Sequence, residues 1–280
     1  MIKTMLVALD GSDHARAAAA GATWLAHRLD ATVVGLHVVD VVSIEGSGTF
    51  FHDISGSLGF EPYLDLTTKL QEALEARGKL LLEEFAASCA RQGVRAETAI
   101  TTGIVANQIC NRARTADLVV MGHRGVNARF STGLLGSTAE SVTRKSPRPV
   151  LVAPERFEEI KRPLLAYDGS DRASAALHEA ADFCRSLGLP LMVIHVTGDQ
   201  AAGQAVLDEA SHYLAAYGLD VSCELVAGAP HERIVAILRE RGFDLLFIGA
   251  FGHSRIVEMV LGSTTEYVLR NSSAPVFLSR

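Results

Sequence analysis

The four cysteines, Cys89, Cys110, Cys184 and Cys223, stand far apart with no CxxC among them. This removes the usual basis for a zinc site or a disulfide framework and leaves reduced, buried thiols as the expected state. Nowhere does the chain hold about 18 uninterrupted apolar residues, and its first apolar run, Met5 to Leu9, is cut by Asp10. We therefore read neither a signal peptide nor a membrane span, and expect a cytoplasmic protein. Positive charge is not in excess. A net charge of −6 argues against nucleic acid or an anionic membrane as the main partner, while a nucleotide, which needs only local donors, stays open. Familiar catalytic signatures are missing too: there is no GxxxxGK[ST], no GxSxG and no HExxH, so no P-loop lysine, nucleophile elbow or metalloprotease helix is present.

What the chain does have is itself, twice. Leu6 to Asp13, LVALDGSD, returns 158 residues later as Leu164 to Asp171, LLAYDGSD; Leu36-His37-Val38 returns as Ile194-His195-Val196, and Pro149 to Val152 as Pro275 to Leu278. Segments repeated in the same order at that distance mark a duplicated domain rather than a solenoid unit. The length of 280 residues, 48% hydrophobic and 21% charged, suits two ordinary globular cores. We expect domains over residues 1–155 and 163–280, with a short charged linker, Glu155 to Arg162, between them.

Short apolar runs alternate with helical patterns in both copies. Thr4 to Leu9 reads as a strand, Ala15, Ala18, Ala22, Leu25 and Ala26 share a helix face behind a cap at Ser12 or Asp13, and Thr32 to Val39 is apolar on both faces, as in a covered parallel sheet. The pattern predicts an α/β chain of two tandem doubly wound, Rossmann-like domains, each a five-stranded parallel sheet flanked by helices. One stretch has no counterpart in the second copy. Ser43 to Thr68 interleaves glycines with Phe50, Phe51, Phe60 and Tyr63; it reads as irregular, either a lid or interface arm or a plain surface excursion, with a helix resuming over Leu70 to Ala90. The closing strands, Pro149 to Ala153 and Pro275 to Ser279, would lie at sheet edges, where we expect the two halves to pair as an intrachain pseudo-dimer. Association of two chains into a homodimer is a further expectation.

The chemistry points to two glycine loops. Gly122 to Thr138 and Gly249 to Thr264 each follow a buried strand and run into a helix start. Amides of a first helical turn lack intrahelical acceptors, and with the helix dipole they favour an anion such as phosphate without any base or nucleophile. The competing reading is a tight strand-to-helix turn with no ligand. Arg124, Arg129 and Arg255 lie in or after these turns and would offset phosphate charge, unless they are merely solvated. His37 and His195 read as hydrogen-bonded structural residues, and His123 and His253 have no acidic neighbour in sequence to make a catalytic pair.

VALDGS near the start of a unit, LHV closing the second strand, and GxxG followed by GST at a helix start before a Pro-Val strand together resemble the universal stress protein family in its tandem form, over nearly all of the chain. Nucleotide-binding members carry G-x-x-G, nine residues, then G-S/T. The second half fits, with nine residues between Gly252 and Gly262, whereas the first has ten between Gly125 and Gly136, so the second loop is favoured. The resemblance implies ATP as ligand, accompanied by magnesium. It would place Asp10 and Asp168 at the adenine and ribose end and the backbone of Val38 and Val196 on the adenine edge. Gly122, Gly125, Gly249 and Gly252 would line ribose and phosphates. Gly136, Ser137 and Thr138, with Gly262, Ser263 and Thr264, would meet the phosphates, and the strand ends Ala8, Met121, Ala166 and Ile248 complete the two pockets. Either aspartate could instead serve local amides where the helix begins. The implied function is a stress-response sensor or switch with little or no turnover, acting on a downstream protein. An interaction module with vestigial pockets, for which Phe251 in the place of Arg124 speaks, and a slow ATP hydrolase are the alternatives.

Overall fold

A computed structural model describes residues 1–40, 63–126, 136–250 and 262–279. The first half runs β1 (Thr4–Ala8), α1 (Asp13–Leu29), β2 (Thr32–Asp40), α2 (Tyr63–Arg91), β3 (Arg95–Gly103), α3 (Val105–Ala113), β4 (Leu118–Gly122), α4 (Ser137–Lys145) and β5 (Val150–Ala153). The second runs β6 (Pro163–Ala166), α5 (Asp171–Leu187), β7 (Leu191–Val196), α6 (Gln200–Ala215), β8 (Val221–Val226), α7 (Pro230–Glu240), β9 (Leu245–Gly249), α8 (Ser263–Asn271) and β10 (Val276–Ser279).

The strands form one ten-stranded sheet in the order β3-β2-β1-β4-β5-β10-β9-β6-β7-β8. Within each half every pairing is parallel; the halves meet where β5 and β10 pair antiparallel, with Val276 opposite Val152, Phe277 opposite Leu151 and Leu278 opposite Val150. The expected pseudo-dimer is therefore a continuous sheet. Alternate residues of each strand serve opposite faces: Met5, Leu118, Leu151, Phe247 and Phe277 join α1, α2, α5 and α6 in one core. Leu6, Val119, Val152, Leu246 and Leu278 join α3, α4, α7 and α8 in the other. Both cores run across the seam between the halves.

Local signals act much as read. Ser12 accepts from the Ala15 amide at 3.1 Å and Ser170 from the Ala173 amide at 3.2 Å, capping α1 and α5. Asp117 and Asp244, just ahead of β4 and β9, each take two amides of the strand next door: Lys3 and Thr4 for Asp117, Lys161 and Arg162 for Asp244, at 2.8 to 2.9 Å.

Several boundaries differ from expectation. Helix α2 begins at Tyr63, so the last residues of the stretch expected to be irregular are helical, and residues 41–62 lie outside those described. Helix α6 begins at Gln200, where the Asp199 carboxylate caps it, accepting from Ala201 and Ala202 at 3.1 Å. Helix α8 begins at Ser263, so the last two residues of the loop read as Gly249 to Thr264 are already helical. The linker is less of a surface strand than its charges imply: Ile160 is buried, and Phe157 packs on α1 with its ring 5.9 Å from that of Trp24. Cys89 and Cys184 are buried, as expected, but Cys110 is half-buried and Cys223, on the edge strand β8, is exposed.

Candidate functional site

In both halves the carboxyl ends of the strands border a cavity at the point where the strand order reverses, between β1 and β4 and between β6 and β9. The first cavity measures about 530 Å³, within the usual range of small-molecule sites. Ala8, Asp10, Val38, Met121, Gly122, Arg124, Gly125, Gly136, Ser137 and Thr138 all line it. The second is half as large, about 260 Å³, and is lined by Ala166, Asp168, Val196, Ile248, Gly249, Gly262, Ser263 and Thr264. Gly252, Phe251, Arg129 and Arg255 lie outside the described residues, as do the loop interiors whose lengths distinguish the halves. Loop spacing favours the second half; the space available favours the first.

The first cavity has two chemically different ends. On the β2 side its walls are mostly apolar, Leu36, Val38 and the flank of α3, Val105 and Ile109, with His37, Asp40 and Arg77 among them. On the β4 side stand Arg124, Gly125 and the start of α4. Gly136 precedes α4 in an extended conformation with no side chain capping the helix, so the amides of Ser137, Thr138 and Ala139 face the cavity without intrahelical acceptors. The Gly136 amide itself donates to the His123 carbonyl at 3.2 Å, which ties the helix start to the end of β4.

Asp10 serves the local amide at the helix start and a second amide as well. Its Oδ1 accepts from the Ser12 amide at 2.9 Å, as a residue at a helix start would, and its Oδ2 accepts from the Val126 amide at 3.0 Å, pinning the loop after β4 across the cavity. Gly125 is what lets the two approach, since a Cβ there would stand 2.7 Å from Asp10 Oδ2. Asp168 repeats the local bond, accepting from Ser170 at 3.0 Å. The strand histidines are structural, as expected: His37 Nδ1 lies 2.8 Å from the Leu9 carbonyl and His195 Nδ1 2.7 Å from that of Tyr167.

Electrostatics at the β4 end rest on Arg124 and the α4 dipole, not on imidazole. Burial, reinforced by the Arg124 charge and by His14, pushes His123 down to about 4; burial likewise lowers His14. Both rings are neutral at physiological pH.

Wall residues the sequence reading missed include Leu74 and Arg77 of α2 and Val105 and Ile109 of α3. The last two were legible as an i, i+4 apolar pair at a helix start beyond a strand. In the second cavity Tyr167, Arg172 and Ile234 were missed in the same way.

The model of the universal stress protein family matches residues 1–154 and again 159–280. Universal stress protein Slr1230 of Synechocystis is 32% identical over 289 aligned positions, covering all of both chains. A universal stress protein of Mycolicibacterium smegmatis is 25% identical, covering 99% of this chain and 96% of its own. Among solved structures, a universal stress protein from Archaeoglobus fulgidus superposes with a TM-score of 0.78 at 25% identity, covering 99% of this chain and 98% of that one.

Proposed function

The chain belongs to the universal stress protein family in tandem form, and from that premise we propose that its first-half cavity binds an adenine nucleotide, with ATP as the ligand, as a sensor or switch with little or no hydrolysis. One observation carries the reading: a single cavity of about 530 Å³ joins a mostly apolar end at Val38 to a helix start whose free amides lie beside Arg124. An apolar, flat group and a polyanion at opposite ends of one molecule describe a nucleotide.

Slow chemistry follows from how the lining groups are occupied. Asp10 is held by two amides and His37 by a carbonyl, so neither is poised to activate water. Among the described residues no three His, Cys, Asp or Glu side chains converge as a metal site. Magnesium would therefore arrive on the phosphates, with the Ser137 and Thr138 hydroxyls at hand. The second cavity, half the size, takes a smaller ligand or none.

Titration calorimetry with ATP, together with assay of adenine nucleotide in the supernatant of heat-denatured protein, tests this. We expect one nucleotide per chain and an Arg124→Ala variant bound about tenfold more weakly, the loss of one charge-assisted contact. Absence of nucleotide in the supernatant and of heat on titration would leave an interaction module with vestigial pockets.

A further inference from the structure

Among the described residues, a helix gives the first cavity a wall that the second lacks. Gly78 of α2 seats that helix on the strand histidine: a Cβ there would lie 2.3 Å from His37 Cδ2. Gly203 of α6 does the same on His195, at 3.1 Å. One turn on, Leu81 lies against Gly11 and Val206 against Gly169, which fixes the same register in both halves. In that register Arg77 corresponds to Ala202, and Leu74 to Asp199. Asp199 is where α6 stops, spent on capping it, whereas α2 continues from Leu74 back to Tyr63.

Helix α2 thus rises from the face it shares with α1 and overhangs the carboxyl end of β2, bringing Leu74 and Arg77 into the wall of the first cavity; no residue of α6 lines the second. Arg77 leaves α2 beside Gly78, on the β2 side, and its guanidinium reaches the turn after β1, Nη2 lying 3.5 Å from where a Gly11 Cβ would be. The start of α4 follows β4, the strand beside β1, and α4 packs on the opposite face of the sheet from α2. Among the described residues no carboxylate pairs with the Arg77 guanidinium. Val38, Val105 and Ile109 supply the apolar part of that end, with His37 and Asp40 of β2 also in the lining.

Building on the nucleotide reading above, we infer that Arg77 lies over the nucleobase, its guanidinium plane stacked on the ring while Leu74 closes the edge, and that this lid on the base end makes the first half, and not the second, the nucleotide site. A planar cation over an aromatic face gains both dispersion and electrostatic attraction, and it does so at the end of the ligand remote from the phosphates. Arg77 and Arg124 then divide the ligand between them.

The test titrates ATP, adenosine and inorganic tripolyphosphate into the full chain and its variants. Arg77→Ala is expected to weaken ATP and adenosine about tenfold and to leave tripolyphosphate unchanged; Arg124→Ala is expected to weaken ATP and tripolyphosphate and to leave adenosine unchanged. Arg77→Lys, which keeps the charge and loses the plane, should behave as Arg77→Ala. The inference is overturned if Arg77→Ala binds ATP as the parent does, if it loses tripolyphosphate as much as ATP, or if Arg77→Lys binds adenosine normally. A parent chain that binds none of the three ligands overturns the nucleotide reading itself, and this inference with it.

Discussion

Glu179 shows how one residue separates two halves that share a fold. It sits on α5, mostly out of water, where α1 has Gly21 with Phe157 packed against it. The Ser279 hydroxyl, at the end of β10, donates to its Oε2. Burial pushes the carboxyl up to about 7, the serine opposing the shift only in part. A carboxyl that holds its proton more tightly folded than unfolded destabilises the fold as pH rises from about 4.5 through about 7, by at most about 3 kcal/mol. Glu179→Gln keeps an oxygen for Ser279 and removes the charge. Urea midpoints at pH 5 and pH 8 should differ in the parent beyond what the variant shows, with the variant the more stable at pH 8; equal slopes would place the Glu179 carboxylate in contact with water. None of this was legible in sequence, where Glu179 is one acid among many on a helix. The aspartates were half legible. Their place before a helix predicted the local amide, but the second bond of Asp10, to Val126, spans 116 positions of chain and belongs to the fold.

At the scale of elements, α2 is the instructive case. Glycines and aromatics masked its beginning, although Pro62 directly before Tyr63 is an ordinary signal of helix onset. Its overhang depends on Gly78. An alanine methyl there would also come within 2.9 Å of Ile100 Cδ1, and the His37 ring cannot swing aside without giving up its 2.8 Å bond to the Leu9 carbonyl. Overpacking costs about 1–3 kcal/mol, against a gain in helix propensity of roughly 1 kcal/mol. Gly78→Ala should therefore lower stability by up to about 2 kcal/mol in chemical denaturation, and weaken ATP as Arg77 is lifted away. A stabilised Gly78→Ala chain with unaltered binding would show that α2 is free to move off β2. The sequence could not supply this register, because what fixes it is a glycine meeting a histidine 41 positions earlier.

The whole molecule is more united than a duplicated sequence suggests. The repeats, their order and the parallel five-stranded halves were readable from apolar runs, and the meeting of the closing strands followed from each copy leaving one edge unpaired. That the two halves share their cores was not readable, because it depends on which side chains the seam brings together. Phe277 packs on Phe247 and Phe183, ring centroids 4.9 and 6.1 Å away, and stands opposite Leu151 of the first half. Around it the core is continuous from α1 to α5, and Arg28 of α1 reaches the Leu187 carbonyl at 3.3 Å. Separating the halves would expose both strands of the seam, whose residues are all buried, so a half cannot remain folded while the other unfolds without that apolar cost. Thermal unfolding should accordingly follow a single transition by circular dichroism and by fluorescence of Trp24, which lies in the first half. Phe277→Ala, in the second half, should move that same transition down by the equivalent of about 3–5 kcal/mol. If the Trp24 signal kept its midpoint while the circular dichroism split into two steps, the halves would be independent folding units that merely touch.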